Sequence, residues 1–343
     1  MLSDPIAALA TAPGRSALAV VRLSGTGAME VAGRVVRGGV SPASSPERTA
    51  RLVTFQATDG SPIDRGLVTV FRAPHSFTGE DLVEFSCHGG LLVSAELLGA
   101  LYSAGARQAA PGEFTRRAVL NGKLDLLQAE AVADLIEATA PAQRRAALHQ
   151  LDGGLSRRLL AMREALLDLL ALLAYDIDFP EEDDGPVPTS RLRSALDEAS
   201  KSVARLLATA PAGERLREGA LVVLAGRPNT GKSSLFNAIL GYERALVTEI
   251  PGTTRDAIEA ATTVRGWPVR LADTAGLRDA DDRIERLGIE VSRRYLAAAD
   301  LILLCVEAGE TISQGEREFA SAPNVLLART KCDLAEVQSL QDL

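Results

Sequence analysis

A glycine-rich segment, GRPNTGKSS, directly follows the apolar run LVVLAG in this chain. Gly226, Gly231, Lys232 and Ser233 fill the pattern G-x-x-x-x-G-K-[ST]. The spacing predicts a buried strand, a phosphate-binding loop and a helix from about residue 232 to 240. Backbone N–H groups of such a loop cradle phosphates, and the positive end of the helix adds to the attraction. We expect Lys232 to reach the β- and γ-phosphates and the Ser233 hydroxyl to bind Mg²⁺.

Two further segments, PGTTRD and DTAG, follow in the order and at the distances that a nucleotide-hydrolysing α/β domain requires. Asp273 ends the predicted strand WPVRLAD and is expected to hold Mg²⁺ through a water. The Gly276 N–H is expected to contact the γ-phosphate. A hydroxyl of Thr253 or Thr254, on a loop between helix and strand, can complete the Mg²⁺ shell when the γ-phosphate is present.

The segment TKCD follows another apolar run, NVLLAR, and predicts which base is bound. The Asp333 carboxylate can accept two hydrogen bonds from guanine, at N1–H and the 2-amino group. Adenine would leave the carboxylate unpaired, so the site favours guanine. Lys331 is expected to lie along the base and ribose. The first residue of this motif is usually Asn, and here it is Thr330.

The side chain that orients the attacking water in small GTPases is absent from its usual place. The residue after the DTAG glycine is Leu277, where Ras-like proteins have Gln. Asn229, inside the phosphate loop, offers an oxygen to a monovalent cation that could supply positive charge. The following segment offers acidic side chains, most of which we expect to be solvated: Asp279, Asp281, Asp282 and Glu285.

Composition narrows the class of protein. The chain has 343 residues, enough for two or three domains, and a net charge of −8, which excludes a broad basic surface for nucleic acid but leaves room for a local patch. Its three cysteines have neither metal-site spacing nor a disulfide pattern, which favours a cytoplasmic location. The longest apolar stretch, LLDLLALLA, is too short to span a bilayer.

Patterning divides the chain into three predicted domains. Residues 1–120 combine β-like runs (LAVVRL, GLVTVF, DLVEFS) with one expected helix, LLVSAELLGALYSAG, and predict an α+β domain. Residues 121–217 predict an α-helical domain, rich in Leu and Ala at three- and four-residue spacing. Residues 218–343 alternate strands and helices, as in an α/β P-loop (Ras-like) GTPase domain.

With these motifs in place, the chain resembles the tRNA modification GTPases of the MnmE/TrmE family over essentially its whole length. The resemblance is carried by the GTPase motifs and, more specifically, by segments such as SFTGEDLVEFSCHGG, APGEFTRRAVLNGKLDLLQAEAVADLI and DFPEED. It implies an N-terminal domain that forms a homodimer and binds a formylated tetrahydrofolate. It also implies a helical domain that carries the G domain, and an FAD-dependent partner of the MnmG/GidA family. Together these proteins add an aminomethyl-type (carboxymethylaminomethyl) group at C5 of the wobble uridine of certain tRNAs.

The resemblance also assigns site residues. Arg22, Glu84 and Lys123 match folate contacts, with the two cations suited to the carboxylates of the glutamate tail. Mg²⁺ is expected on Ser233 and Thr254, and K⁺ on Asn229, Thr253 and backbone groups of Thr248 and Ile250. Glu285 matches the residue that helps orient the water, which makes it a catalytic candidate with Lys232 and Gly276. The complete predicted nucleotide contacts are Asn229, Thr230, Gly231, Lys232, Ser233, Ser234, Thr248, Glu249, Ile250, Pro251, Gly252, Thr253, Thr254, Asp273, Thr274, Ala275, Gly276, Thr330, Lys331, Cys332 and Asp333.

The sequence ends ten residues after Asp333, whereas the family continues with an S-A-[KR] loop, the rest of both later domains and a Cys-x-Gly-Lys end. We therefore expect an incomplete G domain and a loose helical domain, because the helix around residues 159–174 is apolar on nearly every face. Two alternatives stay open beside the enzyme. One is a dimeric folate- and GTP-binding module without turnover, and the other is a generic GTP switch in ribosome assembly.

Overall fold

The computed structural model describes residues 4–38, 41–178, 188–242, 258–273 and 294–334. The chain divides into two compact units, Met1–Glu130 and Ala131–Leu343. Within the described ranges, no helix is both long enough and apolar enough to cross a lipid bilayer.

The first unit is built on a seven-stranded sheet with the order β3-β4-β5-β6-β2-β1-β7. Neighbouring strands are antiparallel except for the parallel pair β1 and β7. The strands are β1 (Ile6–Leu9), β2 (Leu18–Ser24), β3 (Val36–Arg37), β4 (Arg51–Gln56), β5 (Pro62–Phe71), β6 (Leu82–His88) and β7 (Arg107–Gln108). The three β-like runs of the sequence are thereby confirmed as strands.

Three helices accompany this sheet: α1 (Ala28–Val35), α2 (Leu91–Ser103) and α3 (Glu113–Leu120). The predicted helix is confirmed as α2, but the expectation of a single helix is wrong. Each missed helix has only eight residues and starts after a left-handed glycine, Gly27 or Gly112. Two-turn helices have a short periodic pattern, and the glycines indicated turns instead.

The two faces of the first sheet differ in burial. Ala19, Val21 and Leu23 of β2 are buried in the core that α1 and α2 help to form. Strand residues alternate between faces, so Leu18 lies on the opposite face, as do Leu52 and Leu67, which pair across β4 and β5. These three leucines are 64%, 58% and 41% exposed. One face of the sheet is therefore core and the other carries apolar side chains in contact with solvent.

A network of charges centred on the buried Arg117 and Glu113 ties α3 to the start of the chain. Arg117, 1% exposed, donates hydrogen bonds to Asp4, Glu80 and Glu113. Arg107 donates to Glu113 at 2.7 Å and to Asp4 at 2.7 Å. These bonds, led by the one from Arg107, lower the pKa of Glu113 to about 2 and raise that of Arg107. Because each carboxylate has arginine partners, the network satisfies charges that could not otherwise be buried.

Four helices come next along the chain, which confirms the predicted α-helical class of this region. They are α4 (Leu126–Glu137), α5 (Pro141–Leu151), α6 (Gly154–Asp178) and α7 (Thr189–Glu218). The long helices α6 and α7 flank a groove of about 790 Å³ with a largely apolar lining. Many leucines of α6 stay exposed, among them Leu160 at 57% and Leu170 at 59%.

The remainder of the second unit is a five-stranded sheet with the order β12-β11-β8-β10-β9. All neighbours are parallel except β9, which pairs antiparallel with β10. Its strands are β8 (Ala220–Ala225), β9 (Ile258–Val264), β10 (Trp267–Asp273), β11 (Leu301–Glu307) and β12 (Val325–Thr330), with helices α8 (Lys232–Tyr242) and α9 (Gln314–Ala320). The alternation of strands and helices confirms the predicted α/β domain.

Candidate functional site

The predicted nucleotide motifs meet at one edge of the second sheet. The glycine-rich loop leaves β8 after Ala225, Asp273 is the last residue of β10, and Thr330 is the last residue of β12. Because β8, β10, β11 and β12 are parallel, their carboxyl ends share this edge. In open α/β sheets this edge is where ligands bind.

Close packing explains why the loop begins with glycine. A Cβ on Gly226 would lie 2.3 Å from the carbonyl oxygen of Cys305, on the neighbouring strand β11, and Gly226 has φ of +139°. Asn229, within the loop, also has a positive φ of 62°. Only a residue without a side chain fits at the first of these positions, so the loop can pass directly over the sheet edge.

Lys232 occupies the inside of the loop. It is 6% exposed, and its Nζ donates hydrogen bonds to the carbonyls of Gly226 at 3.1 Å and Arg227 at 2.6 Å. The loop backbone thus holds an ammonium group in its concavity, where phosphate oxygens would be bound. The contact of Lys232 with the β- and γ-phosphates stays a prediction.

Two oxygen ligands suited to Mg²⁺ lie side by side. The Ser233 hydroxyl donates to Oδ2 of Asp273 at 2.8 Å, and Asp273 is 3% exposed. A hydroxyl and a carboxylate at this separation are the hard oxygen donors that Mg²⁺ takes, together with phosphate oxygens and water. The residues present therefore fit the metal, with Ser233 as a direct ligand and Asp273 beside it.

The guanine motif is fastened to the phosphate loop. The Thr330 hydroxyl lies 2.5 Å from the carbonyl oxygen of Thr230 and 3.3 Å from that of Val306. Lys331 pairs with Glu307, the last residue of β11, at 2.7 Å. Asp333 is exposed at the same edge. Thr330 thus joins the base motif to the loop, a contact that the sequence did not reveal.

The sequence also missed a salt bridge that supports the loop. Arg227 donates to Glu316 of α9 at 2.7 Å. The Glu316 carboxylate also accepts hydrogen bonds from the backbone N–H and the hydroxyl of Ser313. These bonds, together with the bond from Arg227, lower the pKa of Glu316. The pattern S-x-x-E before α9 is a capping-box signal that could have located the carboxylate, though not its arginine partner.

Several predicted site residues lie outside the described residues. These are Thr248, Glu249, Ile250, Pro251, Gly252, Thr253, Thr254, Thr274, Ala275, Gly276 and Glu285, with Leu277, Asp279, Asp281 and Asp282. Within the described part, the predicted K⁺ ligands are represented by Asn229 and the Mg²⁺ ligands by Ser233.

Two of the three predicted folate residues, Arg22 and Glu84, are bonded to each other in the first unit. Arg22 donates to Glu84 through Nε at 3.0 Å and Nη2 at 2.7 Å. Its guanidinium carbon lies 5.3 Å from the ring centre of Phe77 and 5.8 Å from that of Phe114. The sequence did not single out either phenylalanine. An arginine held between a carboxylate and two rings offers a polar edge and aromatic faces to a planar heterocycle.

Lys123 lies close to the loop that carries Phe77. Its side-chain carbons lie near Gly79, where an added Cβ would be 3.1 Å from Cγ of Lys123. Asn121 donates to the carbonyl of Thr78 at 2.7 Å, and the Thr78 hydroxyl is 2.7 Å from that of Ser24. Both predicted cations therefore border one loop, Arg22 through Phe77 and Lys123 through Gly79.

A glycine loop holding a lysine, a serine–aspartate pair and an adjoining T-K-x-D segment at one sheet edge define a P-loop GTPase domain. Two models of known protein families together match nearly the whole chain. Residues 5–123 match the model described as "GTP-binding protein TrmE N-terminus", and residues 126–340 match "MnmE helical domain". The chain belongs to the MnmE family of tRNA modification GTPases.

Two curated relatives named MnmE agree with this family assignment. A protein of Thermus thermophilus named tRNA modification GTPase MnmE is 50% identical over 311 residues, which cover 89% of this chain and 70% of the relative. Its namesake in Enterococcus faecalis is 45% identical over 351 residues, covering 98% and 75%. The comparison with solved structures matched the G domain of the T. maritima iron transporter FeoB at 29% sequence identity. The match covers 35% of this chain and 77% of the FeoB chain, with a TM-score of 0.25.

Proposed function

We propose that this protein hydrolyses GTP with Mg²⁺ bound directly by Ser233 and, through a water, by Asp273, and that it couples this hydrolysis to modification of the wobble uridine of certain tRNAs. The observation that carries the proposal is the 2.8 Å bond between these two side chains at the mouth of the phosphate loop. The loop amides and Lys232 bind the phosphates and orient them. The bound metal neutralises charge on the phosphate oxygens.

K⁺ assists the hydrolysis, with Asn229 as one ligand. Asn229 sits in the loop next to the phosphate cradle, and Leu277 cannot orient water. A fixed cation beside the phosphates stabilises charge that develops in the transition state. Glu285 is the candidate that positions the water, and Thr254 the second Mg²⁺ ligand.

The first unit binds a formylated tetrahydrofolate beside Arg22. The aromatic faces of Phe77 and Phe114 suit the pterin, and Lys123 suits the carboxylates of the glutamate tail. Arg22 is paired with Glu84 and therefore does not bind the carboxylates of the glutamate tail. Instead, Arg22 holds the Glu84 carboxylate in position to accept hydrogen bonds from the N–H groups of the pterin. The folate supplies the one-carbon unit of the modification.

A second copy of the chain covers the exposed sheet face of the first unit, giving a homodimer. Leu18, Leu52 and Leu67 on that face are apolar and open to solvent, and such faces are commonly interfaces. The dimer works with an FAD-dependent partner of the MnmG/GidA type in the cytoplasm. Together they form the carboxymethylaminomethyl-type group at C5 of uridine.

Nucleotide competition tests the central proposal. GTP and GDP should displace a fluorescent GDP analogue, whereas ATP at equal concentration should not. Asp333→Asn should relax this selectivity, because the amide presents a donor where guanine needs an acceptor. Asp300→Asn is the control, since Asp300 lies at the opposite end of the sheet, beside Leu221. Equal affinities of the unmodified chain for ATP and GTP would refute the assignment.

Calorimetry with 5-formyltetrahydrofolate tests the folate site. Arg22→Ala and Lys123→Ala should each weaken binding and leave GTP affinity unchanged, with Arg65→Ala as an exposed control. Folate binding without GTP hydrolysis would favour the binding module. GTP hydrolysis without folate binding would favour the generic switch and count against the tRNA modification reaction.

A further inference from the structure

A local concentration of arginine stands out in a chain whose net charge is −8. Between residues 138 and 163 the only acidic residue is Asp152, and there is no lysine. The arginines of this segment are at positions 144, 145, 157, 158 and 163. The segment forms α5 and the start of α6, so the charges lie on two consecutive helices of the second unit.

Helical spacing and one packing contact connect two of these arginines through a histidine. Arg145 and His149 are four residues apart on α5, and both are exposed, so they share a face. The His149 ring packs on the backbone of Gly154, where an added Cβ would be 2.2 Å from the ring. Arg158, also exposed, lies one turn along α6 from Gly154. We name Arg145, His149 and Arg158 the basic stripe.

The charges of the basic stripe are not neutralised within the described part of the chain. Neither Arg145 nor Arg158 has an ion pair there, and their neighbour Arg157 donates only to the neutral carbonyl of Asp152, at 2.6 Å. Arg163, by contrast, pairs with Glu164 at 2.7 Å. Exposed guanidinium groups that have no ion pair within the described residues are available to phosphate oxygens, which they bind through two parallel N–H groups.

An aromatic side chain extends the basic stripe at its other end. Pro141 lies one turn before Arg145 and faces Gly266, where an added Cβ would be 3.7 Å from the proline ring. The Ala142 N–H donates to the Gly266 carbonyl at 3.0 Å, which fixes the turn between β9 and β10 against α5. Trp267, the only tryptophan of the chain, follows this turn and is 56% exposed.

We infer that the basic stripe and Trp267 form a surface that binds RNA, with the arginines on the phosphate backbone and Trp267 stacked on an unpaired base. Phosphate contacts supply affinity and unpaired bases stack on exposed aromatic rings, so the two features suit single-stranded or looped RNA. The inference rests on the proposed function, in which the RNA is a tRNA. It adds where that tRNA touches this chain.

Binding of a fluorescein-labelled tRNA transcript to the full chain tests the surface. Arg145→Ala with Arg158→Ala removes two phosphate contacts. The slope of log K against log salt should become shallower by about 1.4, which corresponds to roughly 60-fold weaker binding at 50 mM salt. Arg191→Ala with Arg193→Ala removes the same charge from exposed positions at the start of α7 and should change binding little. GTP hydrolysis should be unchanged in both.

Tryptophan fluorescence gives an independent readout, because Trp267 is the only tryptophan in the sequence. Saturating tRNA should quench it, and Trp267→Ala should weaken binding roughly tenfold. The surface would be refuted, and the proposed function left intact, by either of two results. One is an equal loss of tRNA affinity in the two arginine double variants, and the other is unchanged tryptophan emission at saturating tRNA. Binding of anionic phospholipid vesicles through the basic stripe, with tRNA binding unaffected, would also overturn the surface. A GTP-binding chain with no tRNA affinity would overturn both.

Discussion

Neutralising Glu113 should remove most of the acid sensitivity of the segment around α3. Glu113 is 5% exposed and accepts from Arg107 and Arg117. Its pKa is lowered from 4.5 to about 2 in the folded chain. The ionised form therefore stabilises folding fully above pH 4.5, and that stabilisation is lost as the pH falls towards 2. That lowering of the pKa corresponds to at most roughly 3–4 kcal/mol.

Hydrogen exchange, analysed by mass spectrometry on peptides from residues 107–123, measures the free energy of local opening. Between pH 7 and pH 3 it should fall by 1–3 kcal/mol in the unmodified chain, as an order-of-magnitude estimate. In Glu113→Gln it should start lower at pH 7 and vary much less with pH. Glu96→Gln, at an exposed position of α2, is the control. A pH dependence in Glu113→Gln equal to that of the unmodified chain would refute the reasoning.

Three further predictions concern the second unit. GTP hydrolysis should be faster in K⁺ than in Na⁺ at matched ionic strength and should lose that difference in Asn229→Ala; identical rates in the two salts would contradict the cation site. Thr330→Asn should tighten GDP binding by roughly two- to tenfold, because the one hydroxyl proton of Thr330 goes to the loop carbonyl whereas an amide has two donors; an unchanged dissociation constant would show that no second bond forms. The chain should bind a hydrophobic dye through the exposed leucines of α6, and Leu160→Lys with Leu170→Lys should reduce the signal, whereas absence of dye binding would show that this face is covered.

The sequence predicted that the described residues of the glycine loop, Asp273 and Thr330 lie at one sheet edge, because that geometry is local; their contacts with a nucleotide stay a prediction. A loop of eight residues from Gly226 to Ser233 carries its own backbone conformation, and parallel strands bring Asp273 and Thr330 to the same edge. The folate region was predicted only as isolated positions. Phe77 and Phe114 approach Arg22 from distant parts of the chain, and no periodic pattern reports such a contact.

Burial of a charged side chain is a second feature that local sequence does not predict. Arginine side chains are ordinarily exposed to solvent, yet Arg117 is 1% exposed. Its partners Asp4 and Glu80 are 113 and 37 residues away in the chain. Burial of an arginine depends on carboxylates supplied by other elements, so local sequence cannot indicate it.

Strand β10 has a consequence for how the two ends of this unit influence each other. It runs from Trp267, beside the turn that α5 holds, to Asp273, which bonds Ser233. A hydrogen-bonded strand of seven residues spans about 20 Å and does not stretch. An axial shift of Asp273 therefore moves Trp267 as well. Where GTP changes RNA affinity through this strand, thermodynamic linkage requires RNA to change GTP affinity by the same factor.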